Sequence, residues 1–233
     1  MSRLSPQELE VLVTDIARQI LAEGRDLRQE LVQTIVELYQ VQLITATGGN
    51  LSVRVPGRRQ VWITPAGLYK GDLRPELMVL IDLDGNPLQA GAPAPSSERL
   101  VHTEIYKARA DVHAVIHTHA PYTTLLGLSD LPFLPVTSEA AFVKELPRVP
   151  FIMPGTRELA LAVARSLGDN PAVLMQNHGL VVAAGSLRKA SNLTQAIERA
   201  AQLIWGCYAL GRQPALIPPE AVRRFQEMGE AMA

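Results

Sequence analysis

One short motif, His117-Thr118-His119, constrains this chain more than any other feature. It follows the segment 112–116, whose small and β-branched residues predict a buried β-strand. Alternate residues of a strand point to the same face, roughly 6.5–7 Å apart, so His117 and His119 can share one metal ion. Imidazole suits zinc and its first-row neighbours. The alternative is that both histidines are structural or surface residues, and a third ligand with a nearby carboxylate would decide between the two.

The composition excludes several classes of function. Of 233 residues, 47% are hydrophobic and 19% are charged, and the formal net charge is −1. This balance favours neither nucleic-acid binding nor attachment to a charged membrane surface. Cys207 is the single cysteine, so no internal disulfide can form. Charged residues in the first twenty positions argue against a signal peptide, and we expect a cytoplasmic protein without a transmembrane helix.

Helical spacing and capping residues alternate with short apolar runs along the chain. A capping box at Ser5 predicts a first helix. The other helices are predicted at 26–41, from Ser96-Ser97-Glu98 to 109, at 121–128, 156–167 and 187–210, and after Pro214. Strands are predicted after Asn50 and at 60–63, 77–83, 112–116, 134–137, 149–153, 172–176 and 180–184.

Strands and helices are intermixed, and several strands are joined by short turns such as Pro56-Gly57. This order favours an α/β fold in which helices sandwich a mixed, partly antiparallel sheet. No linker separates the chain into parts, so we expect one domain over residues 1–233.

Two loops carry anion-binding signals. In Gly48-Gly49-Asn50, glycine permits a backbone path that can surround an anion with N–H donors, although an ordinary turn into a strand has the same sequence. Ser96-Ser97-Glu98 predicts a helix start with serine caps, where free N–H groups attract anions. Glu98 is either a functional carboxylate or an acid that complements the helix dipole. His102, one turn later, is interpreted as a structural residue.

His178 is the candidate for a third ligand, because it lies between an apolar strand and Gly179. With His117 and His119 it would form a three-histidine site that leaves a position open, as in catalytic zinc centres. Glu98 would then be a further ligand or a base.

The order of five motifs resembles the class II aldolase/adducin family over roughly residues 5–228. The motifs are 47–52 (TGGNLS), Thr64-x-x-Gly67, Ser96-Ser97-Glu98, His117-Thr118-His119 and 176–180 (QNHGL). The resemblance implies a three-layer α/β/α fold with a mostly antiparallel sheet. It also implies a homotetramer with active sites at subunit interfaces.

The resemblance further implies the residues of the site. Zn²⁺, with Mn²⁺ or Co²⁺ as alternatives, would bind His117, His119, His178 and Glu98, and Glu98 would also transfer the proton. The implied ligands of a substrate phosphate are Thr47, Gly49, Asn50, Gly67, Ser96 and Ser97.

The implied activity is that of a divalent-metal-dependent aldolase that acts through a stabilised enediolate or enolate of a sugar phosphate or related hydroxy-carbonyl compound. A 4-epimerase, a dehydratase or a decarboxylase of the same family would use the same site. A non-catalytic, adducin-like interaction module is the remaining alternative, and the retained histidines argue against it.

Three positions depart from the fuculose-phosphate aldolases of this family. Ala66 stands where those enzymes have a phosphate-binding threonine, and Glu139 and Met228 stand in place of two tyrosines that handle the leaving aldehyde. Glu139 is either a catalytic proton donor, as in related dehydratases, or an unrelated acid at a helix start.

Overall fold

A seven-stranded sheet lies at the centre of the computed structural model, which describes residues 26–231. The strand order is β3-β2-β1-β4-β7-β6-β5. All neighbouring strands are antiparallel except the β5–β6 pair, which confirms a mixed, mostly antiparallel sheet. The strands are β1 (Asn50–Arg54), β2 (Gln60–Ile63), β3 (Val79–Asp82), β4 (Ala114–Thr118), β5 (Arg148–Val149), β6 (Ala172–Met175) and β7 (Gly179–Ala184).

Six α-helices accompany the sheet within the described residues. They are α1 (Leu27–Gln40), α2 (Arg99–Ala108), α3 (Pro121–Leu128), α4 (Arg157–Leu167), α5 (Leu187–Ala209) and α6 (Pro219–Ala231). The predicted helices at 26–41, 121–128, 156–167 and 187–210 are confirmed, whereas the helix that begins at Ser5 lies outside the described residues. No helix in the described part of the chain has the length and apolar character needed to span a membrane.

The two faces of the sheet support separate cores, because successive strand residues point to opposite sides. On one face, Ile116 of β4 belongs to a cluster with residues of α1 and α5, such as Ile35 and Ile197. On the other face, Val115 belongs to a cluster with residues of α2 and α4, including Ile105. This alternation confirms the three-layer α/β/α arrangement.

One predicted strand is absent, and another is shorter than predicted. The segment 134–137 is irregular and packs its apolar side chains, Leu134 and Val136, beside α3 and α5. An apolar run is buried equally well in an irregular segment, so its composition does not distinguish the two. The segment 149–153 keeps only Val149 in β5, because Pro150 has no N–H for a further ladder bond.

Candidate metal centre and substrate pocket

Strand β4 places the first histidine at the middle of the sheet. His117 pairs with Asn50 of β1 on one side and with Val181 of β7 on the other, and His119 follows just after the strand ends. A three-residue turn between β6 and β7 presents His178 beside them. That turn needs Gly179, since a Cβ atom there would lie 2.1 Å from the Thr118 carbonyl oxygen.

Four side chains converge at this point, each with one potential ligand atom. The ligand atoms of Glu98, His117, His119 and His178 all lie within 4.8 Å of one another. The Nε2 atom of His117 is 3.2 Å from Nε2 of His119 and 3.1 Å from Oε2 of Glu98. Ligands about 2.0–2.1 Å from a tetrahedral ion such as zinc lie roughly 3.4 Å apart. The spacing therefore fits a divalent ion at the centre of the cluster.

Hydrogen bonding within the cluster supports the same assignment. His117 donates its Nδ1 proton to the Leu180 carbonyl oxygen at 3.0 Å, which leaves the Nε2 lone pair directed at the cluster. Oε1 of Glu98 is buried without a hydrogen bond, although Nε2 of His178 lies 3.2 Å away. A buried carboxylate oxygen without a donor is costly, and a bound cation would satisfy it.

The charges of the cluster are strongly coupled even without an ion. Burial by itself would raise the pKa of Glu98, but His117 and His178 overcompensate and lower this pKa well below its usual range. Burial, together with the charges of His117 and His178, lowers the pKa of His119 to about 4. His119 is therefore neutral at physiological pH, which is the form that binds a metal.

A pocket of about 230 Å³ opens beside the cluster. Gly48 lets its loop approach, because a Cβ atom there would lie 2.7 Å from Nδ1 of His119. Glu98, His119 and His178 line the pocket. So do all six residues implied as phosphate ligands, namely Thr47, Gly49, Asn50, Gly67, Ser96 and Ser97.

The helix start next to this pocket differs from the prediction. Helix α2 begins at Arg99 with Glu98 as its N-cap residue, and no side chain caps it. Instead, Oγ of Ser96 accepts a hydrogen bond from the Glu98 N–H at 3.2 Å. The prediction of serine caps was therefore wrong, and Ser96 holds the backbone of Glu98 in place before the helix begins.

Behind Glu98, a buried chain of hydrogen bonds connects α2 with β1. Asn50 donates from Nδ2 to Oε2 of Glu98 at 3.2 Å, and its Oδ1 contacts Nε2 of His102 at 2.5 Å. Ser52 Oγ lies 2.7 Å from Nδ1 of His102 and 2.9 Å from the Tyr106 hydroxyl. Burial and the charge of His117 lower the pKa of His102 to about 3, so His102 is neutral.

Because His102 is neutral, the donor and the acceptor of each of its hydrogen bonds can be assigned. Since Asn50 Oδ1 can only accept, His102 carries its proton on Nε2 and accepts at Nδ1 from the Ser52 hydroxyl. The amide of Asn50 is thereby fixed with its NH₂ group towards Glu98. The sequence did not indicate that His102 would bond to Asn50 and Ser52, or that Tyr106 would bond to Ser52 in turn.

Within a single chain, Glu139 does not line the pocket beside the metal cluster. It lines a separate surface groove with Asn192 and Arg199 of α5. Glu139 immediately precedes a short 3₁₀ turn at 140–142, against which α6 packs through Phe142 and Phe225, with ring centroids 5.4 Å apart. Met228 of α6 is 53% exposed.

Lys70 is a pocket residue that the sequence did not single out. Its side chain is 1% exposed, and it lines the pocket together with Gly67 and Ser96. A lysine that follows a turn is normally solvated, so nothing in the local sequence signals its burial.

Comparisons with known proteins agree with this geometry. Residues 29–205 match the family model described as Class II Aldolase and Adducin N-terminal domain. The 5-deoxy-D-ribulose 1-phosphate aldolase of Bacillus thuringiensis serovar kurstaki is 31% identical over 208 residues, which cover 87% of this chain and 97% of that protein.

Two further proteins extend the comparison. The L-fuculose phosphate aldolase of Escherichia coli K12 is 34% identical over 78% of this chain and 83% of its own length. A solved structure of an L-fuculose 1-phosphate aldolase superimposes with a TM-score of 0.81 at 30% identity, covering 88% of this chain and 96% of that one. The chain therefore belongs to the family of class II aldolase and adducin N-terminal domains, and it is a metal-dependent class II aldolase.

Proposed function

We propose that this aldolase cleaves a ketose 1-phosphate between C3 and C4, and that it also catalyses the reverse condensation. The observation that supports this most strongly is the position of the four-ligand cluster against a pocket lined by glycine, serine and threonine loops. The related proteins named above act on 5-deoxyribulose 1-phosphate and fuculose phosphate, which share a phosphorylated ketose end.

In this proposal, His117, His119, His178 and Glu98 bind the ion, and we favour zinc, with Mn²⁺ or Co²⁺ as alternatives. Three imidazole nitrogens and one carboxylate oxygen within 4.8 Å of one another form a donor set that suits zinc. When bound, a divalent ion would polarise the substrate carbonyl and stabilise negative charge on its oxygen.

Glu98 transfers the proton at C3. In cleavage, Glu139 of a neighbouring copy would accept the proton of the C4 hydroxyl, and the electron pair of the C3–C4 bond would pass to C3. Glu98 would then transfer to C3 a proton that it takes from solvent. The Asn50–His102 chain holds one carboxylate oxygen, while Oε1 has no hydrogen bond within the described chain. Oε1 would bind the ion in the free protein and would become available for proton transfer once the substrate takes its place.

The phosphate binds between the Thr47–Asn50 loop, Gly67 and Ser96-Ser97. Thr47, Gly67 and Ser97 are solvent-exposed within this pocket, so an incoming anion can reach them without unfolding. Asn50 and Ser96 are buried and supply a fixed floor.

We further propose that the residues 1–233 form one domain and that four copies assemble with active sites between them. Glu139 lies in a groove separate from the metal centre of its own chain, so a catalytic Glu139 would act on the site of a neighbouring copy. In the assembly Glu139 protonates or deprotonates the leaving aldehyde fragment, and the exposed Met228 contributes an apolar contact.

The test is a cleavage assay of the zinc-loaded protein with 5-deoxyribulose 1-phosphate, ribulose 1-phosphate and fuculose 1-phosphate. We expect an aldehyde and a three-carbon ketose phosphate as products. The absence of cleavage with zinc, cobalt and manganese would refute the proposal. Product analysis by NMR identifies the alternatives, because epimerisation keeps all carbons in one molecule and dehydration removes only water.

The assembly has its own test. Glu98→Gln and Glu139→Gln proteins are each expected to be nearly inactive, and mixed, refolded tetramers should regain part of the activity. Recovery requires that one site uses Glu98 of one subunit and Glu139 of another. No recovery, or full activity of Glu139→Gln, would exclude a catalytic Glu139 at the interface.

A further inference from the structure

Lys70 is the least expected side chain of the pocket. Its three predecessors, Gly67, Leu68 and Tyr69, are exposed, yet the lysine itself is 1% exposed. The Lys70 N–H donates to the Ala46 carbonyl oxygen at 2.8 Å, which joins this loop to the loop that contains Gly48 and Gly49. The backbone therefore holds Lys70 at the junction of the two loops and directs its side chain inward.

Few polar groups of the described residues contact the buried ammonium group of Lys70. Its Nζ atom has one hydrogen bond among the described residues, to the Pro65 carbonyl oxygen at a long 3.4 Å. No carboxylate lies within ion-pair distance among residues 26–231. Burial lowers the pKa of Lys70 to about 8. A buried ammonium group with unmet donors is unfavourable, unless an anion binds beside it.

The surroundings indicate which anion this would be. Lys70 is the single lysine or arginine among the described residues that line the pocket, and the serine, threonine and glycine residues around it are neutral donors. A phosphate dianion offers three strong acceptor oxygens to such a set. Ala66, in the same loop, supplies no hydroxyl group to such an anion.

We propose that Lys70 is the cationic ligand of the substrate phosphate. The inference rests on the proposed function in so far as the natural substrate is a phosphorylated ketose. The lysine confers specificity for phosphorylated over neutral substrates, and it takes no part in the C–C bond cleavage. Glu98, His119 and His178 are the other titratable side chains that line the pocket, and all three belong to the metal cluster.

The first experiment measures the affinity of inorganic phosphate by calorimetry on metal-loaded protein. We expect Lys70→Met to weaken phosphate binding by about 10- to 100-fold, as the loss of a charge-assisted hydrogen bond implies. Lys70→Arg should retain part of the affinity. Lys107→Met is the matched control, because Lys107 pairs with Asp84 at the surface and does not line the pocket.

Kinetics provide the second measurement. Lys70→Met should raise KM for the ketose 1-phosphate with kcat changed by no more than a few-fold. A structural role would instead lower the thermal midpoint and leave the phosphate affinity of the folded fraction unchanged. Unchanged phosphate affinity and KM in folded Lys70→Met would overturn the proposal.

A third measurement needs no folded variant. Sulfate stays dianionic at all relevant pH values, so proton uptake on sulfate binding reports the protein alone. Calorimetry of the wild-type protein at pH 8.5, in buffers with different ionisation heats, should show uptake of a proton fraction. Absence of sulfate binding in this titration would overturn the proposal. Phosphate binding that depends on Lys70, without cleavage of any ketose 1-phosphate, would instead refute the proposed function and leave Lys70 as an anion ligand.

Discussion

Among residues 26–231, two glutamates are buried to the same extent but have opposite surroundings. Glu98 and Glu198 are each 7% exposed. Glu198 of α5 accepts hydrogen bonds from the N–H groups of Tyr122 and Thr123 and from the Thr123 hydroxyl, at 2.6–2.8 Å. The two N–H groups lie in the first turn of α3, where a helix offers no acceptor of its own and Ala120 provides no side-chain cap.

Glu98 has fewer donors around it than Glu198, and its Oε1 atom accepts no hydrogen bond. Asn50 donates to Oε2, and the other contacts are imidazole nitrogens of the proposed metal ligands. The comparison shows that burial of a carboxylate does not reveal its role. A carboxylate that the chain fully satisfies stabilises the fold, whereas one that is left incomplete among three histidines indicates a ligand that the chain does not supply.

The largest expected effect is the loss of catalytic rate in the Glu98→Gln variant. We expect kcat to fall by about 10²- to 10⁴-fold, as is usual when a general acid–base residue is removed. Because His117 and His178 hold the pKa of Glu98 below its unfolded value, loss of this charge should also lower the free energy of unfolding of the metal-free protein at neutral pH. Steady-state kinetics with urea unfolding on the same preparation check both. An unchanged kcat in folded Glu98→Gln would remove the distinction from Glu198.

Metal removal should give the next largest effect. At a free metal concentration about 1,000 times Kd, bound metal adds about 4 kcal/mol to the free energy of unfolding. A chelator should therefore lower the thermal midpoint of the wild-type protein and of Glu198→Ala alike. It should have little effect on His178→Ala, whose cluster has lost a ligand. Scanning calorimetry with and without chelator makes the measurement.

Glu198→Ala should destabilise the fold by about 3 kcal/mol, because it leaves buried N–H donors of α3 without an acceptor. Metal affinity per folded molecule should stay within a few-fold, since Glu198 belongs to a different part of the structure. Urea unfolding and a metal titration of the folded protein measure the two quantities. Ser186→Ala at the start of α5 is a control for the loss of a single ordinary cap, at about 1 kcal/mol.

The smallest expected effect concerns His102. Its pKa in the folded protein is about 3, lowered by burial and by the charge of His117, against about 6.5 in the unfolded chain. Below pH 6.5 the unfolded chain therefore binds a proton that the native residue does not, and stability falls by up to about 1.4 kcal/mol per pH unit. His102→Gln should make this slope shallower between pH 6 and pH 5 in urea unfolding of protein in the same metal state. An unchanged slope would mean that His102 is protonated in the folded protein.

The sequence predicted the metal cluster and most elements because those features depend on local pattern. A strand with His117 at its end, a helix start at Glu98 and a turn at His178 are each recognisable over a few residues. Lys70, Ser52 and Tyr106 escaped prediction because their roles come from contacts between distant segments. The same holds for Glu198, whose partners lie at the start of another helix. The role proposed for Glu139 depends on other copies of the chain, which no local pattern encodes.

The position of β7 between β4 and β6 has a consequence for synthesis on the ribosome. One edge of β4 has no partner until residues 179–184 have been made, although β1 can already pair with the other edge. An open, apolar edge is prone to wrong pairing. His178 immediately precedes the strand that closes this edge. A nascent chain therefore gains the last of its three proposed histidine ligands as the sheet becomes complete, and stable metal uptake would report that the central sheet has finished folding.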